Sequence, residues 1–195
     1  MEGYGSLRIE GDQGTSKLRF SFVFSLPHRG RIESFDPLGR PLSIILIDEG
    51  GAYFVLPSRK VYWRGDEEEI ISKFIGFRLN QIELINLLRG QWESDGVSTR
   101  SEGEKGNWEF TCDERGRIIE GQRGEFRFEI KEFFPGSQFA RLVLFSHTLS
   151  KGTVKVFTVN FNQPVKPGAF SSSFLEKYSL KTWAEIEKLL SGNES

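Results

Sequence analysis

The sequence predicts an α+β fold, a large antiparallel sheet of about ten to eleven strands that curls on itself, with two short helices inserted after the sixth strand. Three observations carry this. Residues 17–26 place Leu18, Phe20, Phe22, Phe24 and Leu26 on one parity and Lys17, Arg19, Ser21 and Ser25 on the other. Period two over that length means a strand with one apolar face and one wet face. Residues 125–131 repeat the pattern, with Phe126, Phe128 and Ile130 set against Glu125, Arg127, Glu129 and Lys131. Between these strands, at Asp66 and again at Asn80, the apolar period lengthens to that of a helix.

Taken in order, residues 6–10 form a weakly alternating first strand, followed by 17–26, a turn at 28–30 and a strand over 31–35. Asp36-Pro37-Leu38-Gly39 is then a tight turn, with Asp at i, Pro at i+1 and Gly at i+3. Nothing in turn geometry asks for the leucine at its tip. Residues 42–47 are apolar at both parities, so this strand is expected to be covered on both faces. Asp48-Glu49-Gly50-Gly51 makes a hairpin loop, and strands over 52–56 and 60–64 flank Pro57-Ser58-Arg59.

Asp66 can cap a helix, with Glu69 as its capping-box partner and Ile70, Ile71, Phe74 and Ile75 as its apolar stripe before Gly76. Asn80 and Glu83 repeat the scheme, with Ile82, Ile85, Leu87 and Leu88 ending at Gly90. Each is too short to be stable alone, so both must dock on the sheet. A polar surface loop is expected over 93–106, then strands over 108–112, 117–121, 125–131, 139–145 and 153–161. The expected organisation is a domain over 1–163 and an extension over 164–195. The extension opens with an irregular connector. It ends in a helix capped by Thr182 and Glu185, with Trp183, Ile186, Leu189 and Leu190 on one face and packed outside the main body.

Composition excludes more than it identifies. The formal net charge is −1 and basic residues are scattered singly, which disfavours a nucleic-acid surface. Cys112 is the only cysteine, so no intrachain disulfide forms, and its strand parity reads as a packed thiol. His28 and His147 have no acidic or cysteine partner at ligand spacing. No phosphate loop, dinucleotide fingerprint or nucleophile elbow is present. The reading is not an enzyme, with no cofactor and no metal. No apolar run approaches the ~20 residues of a membrane-spanning helix, and the opening residues lack the basic and apolar regions of a signal peptide. Eighteen Phe, four Tyr and four Trp exceed what a core of this size ordinarily needs. They suit either a Phe-rich packed interior or one with an apolar task.

The run Asp36-Pro37-Leu38-Gly39, the apolar strand after it, the strands over 52–62 and the helical pair ending in Leu88-Arg89-Gly90 resemble the LolB outer-membrane lipoprotein receptors. More distantly they resemble the LolA periplasmic carriers. The resemblance spans roughly residues 4–162 and lies in the order of motifs rather than in any one of them. It implies an incomplete, half-open antiparallel barrel closed by a helical lid over an apolar cavity that shelters lipoprotein acyl chains. Phe20, Phe22, Phe24, Phe126, Phe128 and Ile130 would line the cavity. Ile70, Ile71, Phe74, Ile75, Ile82, Ile85 and Leu88 would form the lid, and Pro37, Leu38 and Gly39 the membrane-contacting loop. The implied role is lipoprotein localisation, receiving acylated lipoproteins from a LolA-like carrier at the periplasmic face of the outer membrane. The protein would act as a monomer and be lipid-anchored at full length. The chain departs from the family in showing no N-terminal lipidation cysteine and in its extension from Pro164. The competing reading is an envelope scaffold or sensor that binds a protein through the same half-barrel, with the final helix as the docking element.

Overall fold

Two antiparallel meanders share one sheet. The first runs through β1 (Glu2–Gly11), β2 (Gly14–Ser25), β3 (Arg29–Phe35), β4 (Pro41–Asp48), β5 (Gly51–Leu56) and β6 (Val61–Gly65). The second runs through β7 (Glu109–Cys112), β8 (Ile118–Arg123), β9 (Phe126–Phe133), β10 (Ala140–His147) and β11 (Ser150–Asn160). β1 pairs with both β2 and β11 and so joins the meanders. A short β12 (Ser179–Leu180) adds to β6 in parallel, giving the order β12-β6-β5-β4-β3-β2-β1-β11-β10-β9-β8-β7. This computed structural model describes residues 1–12, 14–26, 28–36, 38–92, 108–148 and 150–191. Among them β12 and β7 do not pair with each other, so the barrel stays open. The loop expected over 93–106 lies outside the described residues.

Helices α1 (Glu67–Ile75) and α2 (Gln81–Arg89) follow β6. Asp66 accepts hydrogen bonds from the backbone N–H groups of Glu68 and Glu69, and Asn80 makes a full capping box with Glu83. Gly76 and Gly90 end the helices at φ 87° and 61°, a conformation open to glycine without Cβ strain. The apolar stripes face the sheet: Ile70, Ile71, Ile75, Ile85, Leu87 and Leu88 share one buried cluster with Phe22, Phe24, Ile45, Phe54 and Phe128.

The Phe-rich interior has a specific construction. Phe22 pairs in register with Gly3, Phe20 with Gly5, Phe24 with Gly30, Phe128 with Gly121 and Phe145 with Gly152. In each pair the ring lies across its glycine. A Cβ at Gly3 would stand 2.3 Å from the Phe22 ring, and one at Gly152 2.2 Å from the Phe145 ring. Glycine leaves a gap in the inner face, and the neighbouring phenylalanine fills it by lying flat.

The C-terminal segment departs from expectation. Leaving β11, it crosses the outer face of the first meander, where Arg29 and Arg31 stand over the rings of Phe170 and Phe174 at 5.4 and 5.7 Å. Leu175 is buried there against Ile44, Leu46, Tyr53 and Val55. This second cluster explains why 42–47 is apolar at both parities: Ile45 and Ile47 face inward, Ile44 and Leu46 outward. The chain then forms β12 and turns round the β6 edge to α3 (Trp183–Leu190). That helix does not pack outside the body. Ile186 is fully buried in the main core, and the Trp183 ring lies 5.1 Å from Trp63 and 5.7 Å from Phe54.

Cys112 is also corrected. Its thiol is exposed, because the β7–β8 register shifts between Thr111 and Cys112 and the alternation that would have turned it inward is lost.

Candidate functional site

Between the inner face of the sheet and the helical pair lies a cavity of about 50 Å³ lined entirely by apolar side chains. The sheet contributes Phe20, Phe22 and Phe24 from β2, Ile32 from β3, and Val143 and Phe145 from β10. The helices close it with Ile71, Phe74, Ile75, Leu84, Leu87 and Leu88. On this measure a single water-sized group needs about 10–15 Å³, so the space admits only a few such groups.

The candidate lining residues divide into two groups. Phe20, Phe22 and Phe24 line the cavity. Phe126, Phe128 and Ile130 are buried on the same face but do not reach it. Phe77, from the α1–α2 connection, stacks on Phe126 at 3.8 Å and meets Phe145 edge-on, so it forms the cavity wall on that side. Of the candidate lid residues, Ile71, Phe74, Ile75 and Leu88 face the cavity. Ile70 and Ile85 are buried in the surrounding core, and Ile82 is 49% exposed on the solvent side of α2. Leu84, Leu87 and Phe77 complete the roof. The helical period of 81–89 carried the signal for the two leucines, and the connector position of Phe77 gave none.

A polar clamp holds α2 against the far meander. The Glu83 carboxylate accepts from Trp108 Nε1 at 3.1 Å, from the Asn80 backbone N–H at 3.0 Å and from the Arg123 guanidinium. Arg123 also donates to the Arg78 carbonyl and lies 4.6 Å from the centre of the Trp108 ring. Gln81, buried at the first turn of α2, donates from its amide to the Arg29 carbonyl at 3.3 Å and from its backbone to the Glu67 carboxylate. At the other end the Ile118 N–H donates to the Gly90 carbonyl at 3.1 Å. The lid is therefore fastened at its ends by polar contacts, while its middle rests on apolar ones.

The turn after β3 is built around Asp36. Its carboxylate accepts from the N–H groups of Leu38 and Arg40 at 2.8 and 2.9 Å and from Arg40 Nε at 2.7 Å. The Arg40 N–H foremost, against opposing desolvation and helped by the Arg40 side chain and the Leu38 N–H, holds its pKa below the usual carboxylate value. Gly39 takes φ 80°. Leu38 is 78% exposed, and Leu42 beside it is exposed as well. Pro37 lies outside the described residues. The chain contains a second turn of the same build. Asp113 accepts from the N–H groups of Arg115 and Arg117, each at 2.9 Å, and from Arg117 Nε at 2.8 Å, with Gly116 at φ 73°. Its tip residues are Glu114 and Arg115. The two turns share Asp-x-x-Gly-Arg and differ at the tip, so the geometry accommodates polar tips and does not account for Leu38.

The extension's helix has little apolar surface left for a partner. Ile186 is buried, Trp183 and Leu189 pack against the core, and Leu190 is the exposed remainder. Among the described residues no helix is long and apolar enough to cross a membrane, and no group of three or more His, Cys, Asp or Glu could hold a metal ion.

The open antiparallel sheet with its helices matches the open-barrel fold of solved structures of the LolA type. A LolA superfamily protein from Nitrosomonas europaea superposes with a TM-score of 0.57 at 10% identity, covering 89% of this chain and 90% of that one. A DUF1329 family protein from Desulfovibrio piger gives 0.60 at 12% identity, covering 89% and 91%. A domain named for outer membrane lipoprotein sorting, from Vibrio parahaemolyticus, gives 0.50 at 10% identity, covering 90% of each chain. No protein-family model and no curated protein sequence matches the chain. At these identities the likeness is one of fold.

Proposed function

We propose that this protein is a non-enzymatic carrier that shelters acyl chains of lipoproteins under its helical lid and delivers them to a membrane through the Leu38 turn. The observation that carries the reading is the wholly apolar cavity beneath two short helices. Each acyl methylene removed from water contributes about 0.8 kcal/mol, so a dozen methylenes contribute about 10 kcal/mol. That offsets the exposure of several lid side chains at about 1.5–3 kcal/mol each. The ligand itself can therefore hold the lid open. Leu38 is the membrane-facing residue, and on the same scale its insertion touches a bilayer without holding the protein there. Holding falls to a lipid anchor or a partner.

The finer assignment is a LolB-like role at the periplasmic face of the outer membrane, with acylated lipoproteins received from a LolA-like carrier. The order of motifs along the chain supports it, and the names of the structural neighbours support the coarser lipoprotein-sorting theme. Organic extraction of the purified protein followed by mass spectrometry tests the carrier. Acylated species should be recovered, and their absence together with failure to bind an acylated peptide would overturn it. Leu38→Glu should leave the circular dichroism spectrum unchanged and abolish lipoprotein transfer to liposomes. Transfer at the wild-type rate would remove Leu38 from the mechanism.

A further inference from the structure

Gln81 is a polar side chain buried at one end of the apolar cavity, only 1% exposed. Its Nε2 donates to the Arg29 carbonyl at 3.3 Å, and among the described residues no donor reaches its Oε1. Turning the amide round would not help, because its oxygen would then face the Arg29 carbonyl oxygen. Gly30 fixes where Oε1 lies. A Cβ on Gly30 would stand 2.8 Å from Oε1 and 2.9 Å from the Phe24 ring, so the oxygen lies over Gly30 on the inner face, beside that ring. Phe24 is the register partner of Gly30, and Ile32 is the next residue of β3 on the same face. Leu84 stands one helical turn beyond Gln81 on α2. All three line the cavity. The orphaned oxygen therefore sits where sheet and lid helix meet, at the end of β3 opposite the Leu38 turn. Trp183 Nε1 is also buried without a partner, but its neighbours Phe54 and Trp63 do not line the cavity. A buried acceptor without a donor costs folding free energy that an apolar side chain at the same place would not. The apolar lining offers nothing to satisfy it.

We infer that Gln81 Oε1 accepts the N–H of an amide joining the acyl chain to its peptide, so that the site reads the linkage as well as the chain and prefers N-acyl to O-acyl groups. The inference rests on the acyl-carrier reading and adds to it the chemical class of the ligand's head. An ester or a tertiary amide carries the same chain but no donor, and bound in the same pose it leaves Oε1 unpaired. From Gln81 the acyl tail runs past Phe24, Phe22 and Phe20, toward the end of the sheet that carries the Leu38 turn.

The test uses the full chain and three ligands of one chain length, N-ethyl dodecanamide, N-ethyl-N-methyl dodecanamide and ethyl dodecanoate, each competing with a fluorescent acylated probe. The readout is the affinity ratio of the secondary amide to the ester, taken in wild type and in Gln81→Met, so that the ligands' own difference in hydrophobicity cancels. Removing the acceptor should lower that ratio about fivefold, the fold-change of one net hydrogen bond. The ratio of the N-methylated amide to the ester should be the same in both proteins. A secondary-amide ratio unchanged by Gln81→Met would overturn the role of Gln81 and leave the carrier standing. A chain that binds neither the probe nor any of the three ligands would overturn the carrier reading, and the inference with it. If Gln81→Met fails to fold, carbon-13-labelled wild type decides. The side-chain carbonyl resonance of Gln81 should shift with the secondary amide and not with the ester, and equal shifts would overturn the inference.

Discussion

Gly152 shows how much of the inner face depends on residues with no side chain. A Cβ there would meet the Phe145 ring at 2.2 Å and the Arg8 carbonyl oxygen at 2.7 Å. The ring can rotate away, but the backbone oxygen cannot. Gly152→Ala should therefore destabilise the protein by about 1–3 kcal/mol, as overpacking of a filled core does, measured by urea denaturation. Because Phe145 also lines the cavity, the variant should in addition alter binding of an acylated probe. An unchanged midpoint would show that the face tolerates a filled glycine. The phenylalanine alternation in 17–26 and 125–131 was legible in the sequence because it has period two within one strand. Its glycine partners were not, because the pairing is across strands and depends on register. For the same reason the alternation identified the face of Phe126 and Phe128 without showing that Phe77 stacks on Phe126 at the cavity wall.

Caps and apolar stripes fixed all three helices in the sequence, since those signals are local. What holds the helices down was hidden, since Glu83, Trp108 and Arg123 are distant in the chain. Arg123→Ala removes the clamp's cation and leaves Glu83 with its two N–H donors, so the fold should survive while the lid loosens. Hydrogen exchange of the 81–89 amides should accelerate relative to those of β4, and acylated probes should enter and leave faster. Identical exchange would show that apolar contacts alone hold α2. At α3, Glu185 accepts from Lys181 first, then from the Thr182 N–H and hydroxyl, and its pKa is lowered to about 2. A carboxylate with a depressed pKa stabilises the folded state above its ordinary value of 4.5, and loses that contribution as pH falls toward about 2. Tryptophan fluorescence from the Trp183–Trp63 pair should report α3 loosening in that window. In Glu185→Gln the pH dependence should flatten, while the wild type shows no change between pH 7 and about 5.

At the scale of the molecule, the sheet's curl followed from strand count, whereas its open seam and helical lid were what the LolB resemblance implied. The path of the extension did not, because its anchoring residues are short apolar pieces in a polar stretch. Phe170, Phe174 and Leu175 look like connector until Ile44, Leu46, Tyr53 and Val55 are seen to need a cover. The doubly apolar run at 44–47 was the sequence's sign of that cover. The extension therefore does structural work on both faces and on the β6 edge, and a chain ending at residue 163 tests it. Removing the strap uncovers the outer cluster and removes Ile186 and Trp183 from the main core. Each fully buried side chain of this size contributes about 1.5–3 kcal/mol, against a total stability of about 5–15 kcal/mol for an ordinary domain. The shortened chain should be aggregated or partly unfolded, seen as a broadened thermal transition and binding of a hydrophobic dye. Supplying residues 164–195 as a separate peptide should not restore the fold fully, because covalent linkage gives the strap an effective concentration that a free peptide lacks. A shortened chain that melts cooperatively near the full chain's temperature would show that the half-barrel stands alone. The extension would then be an accessory laid over a finished domain.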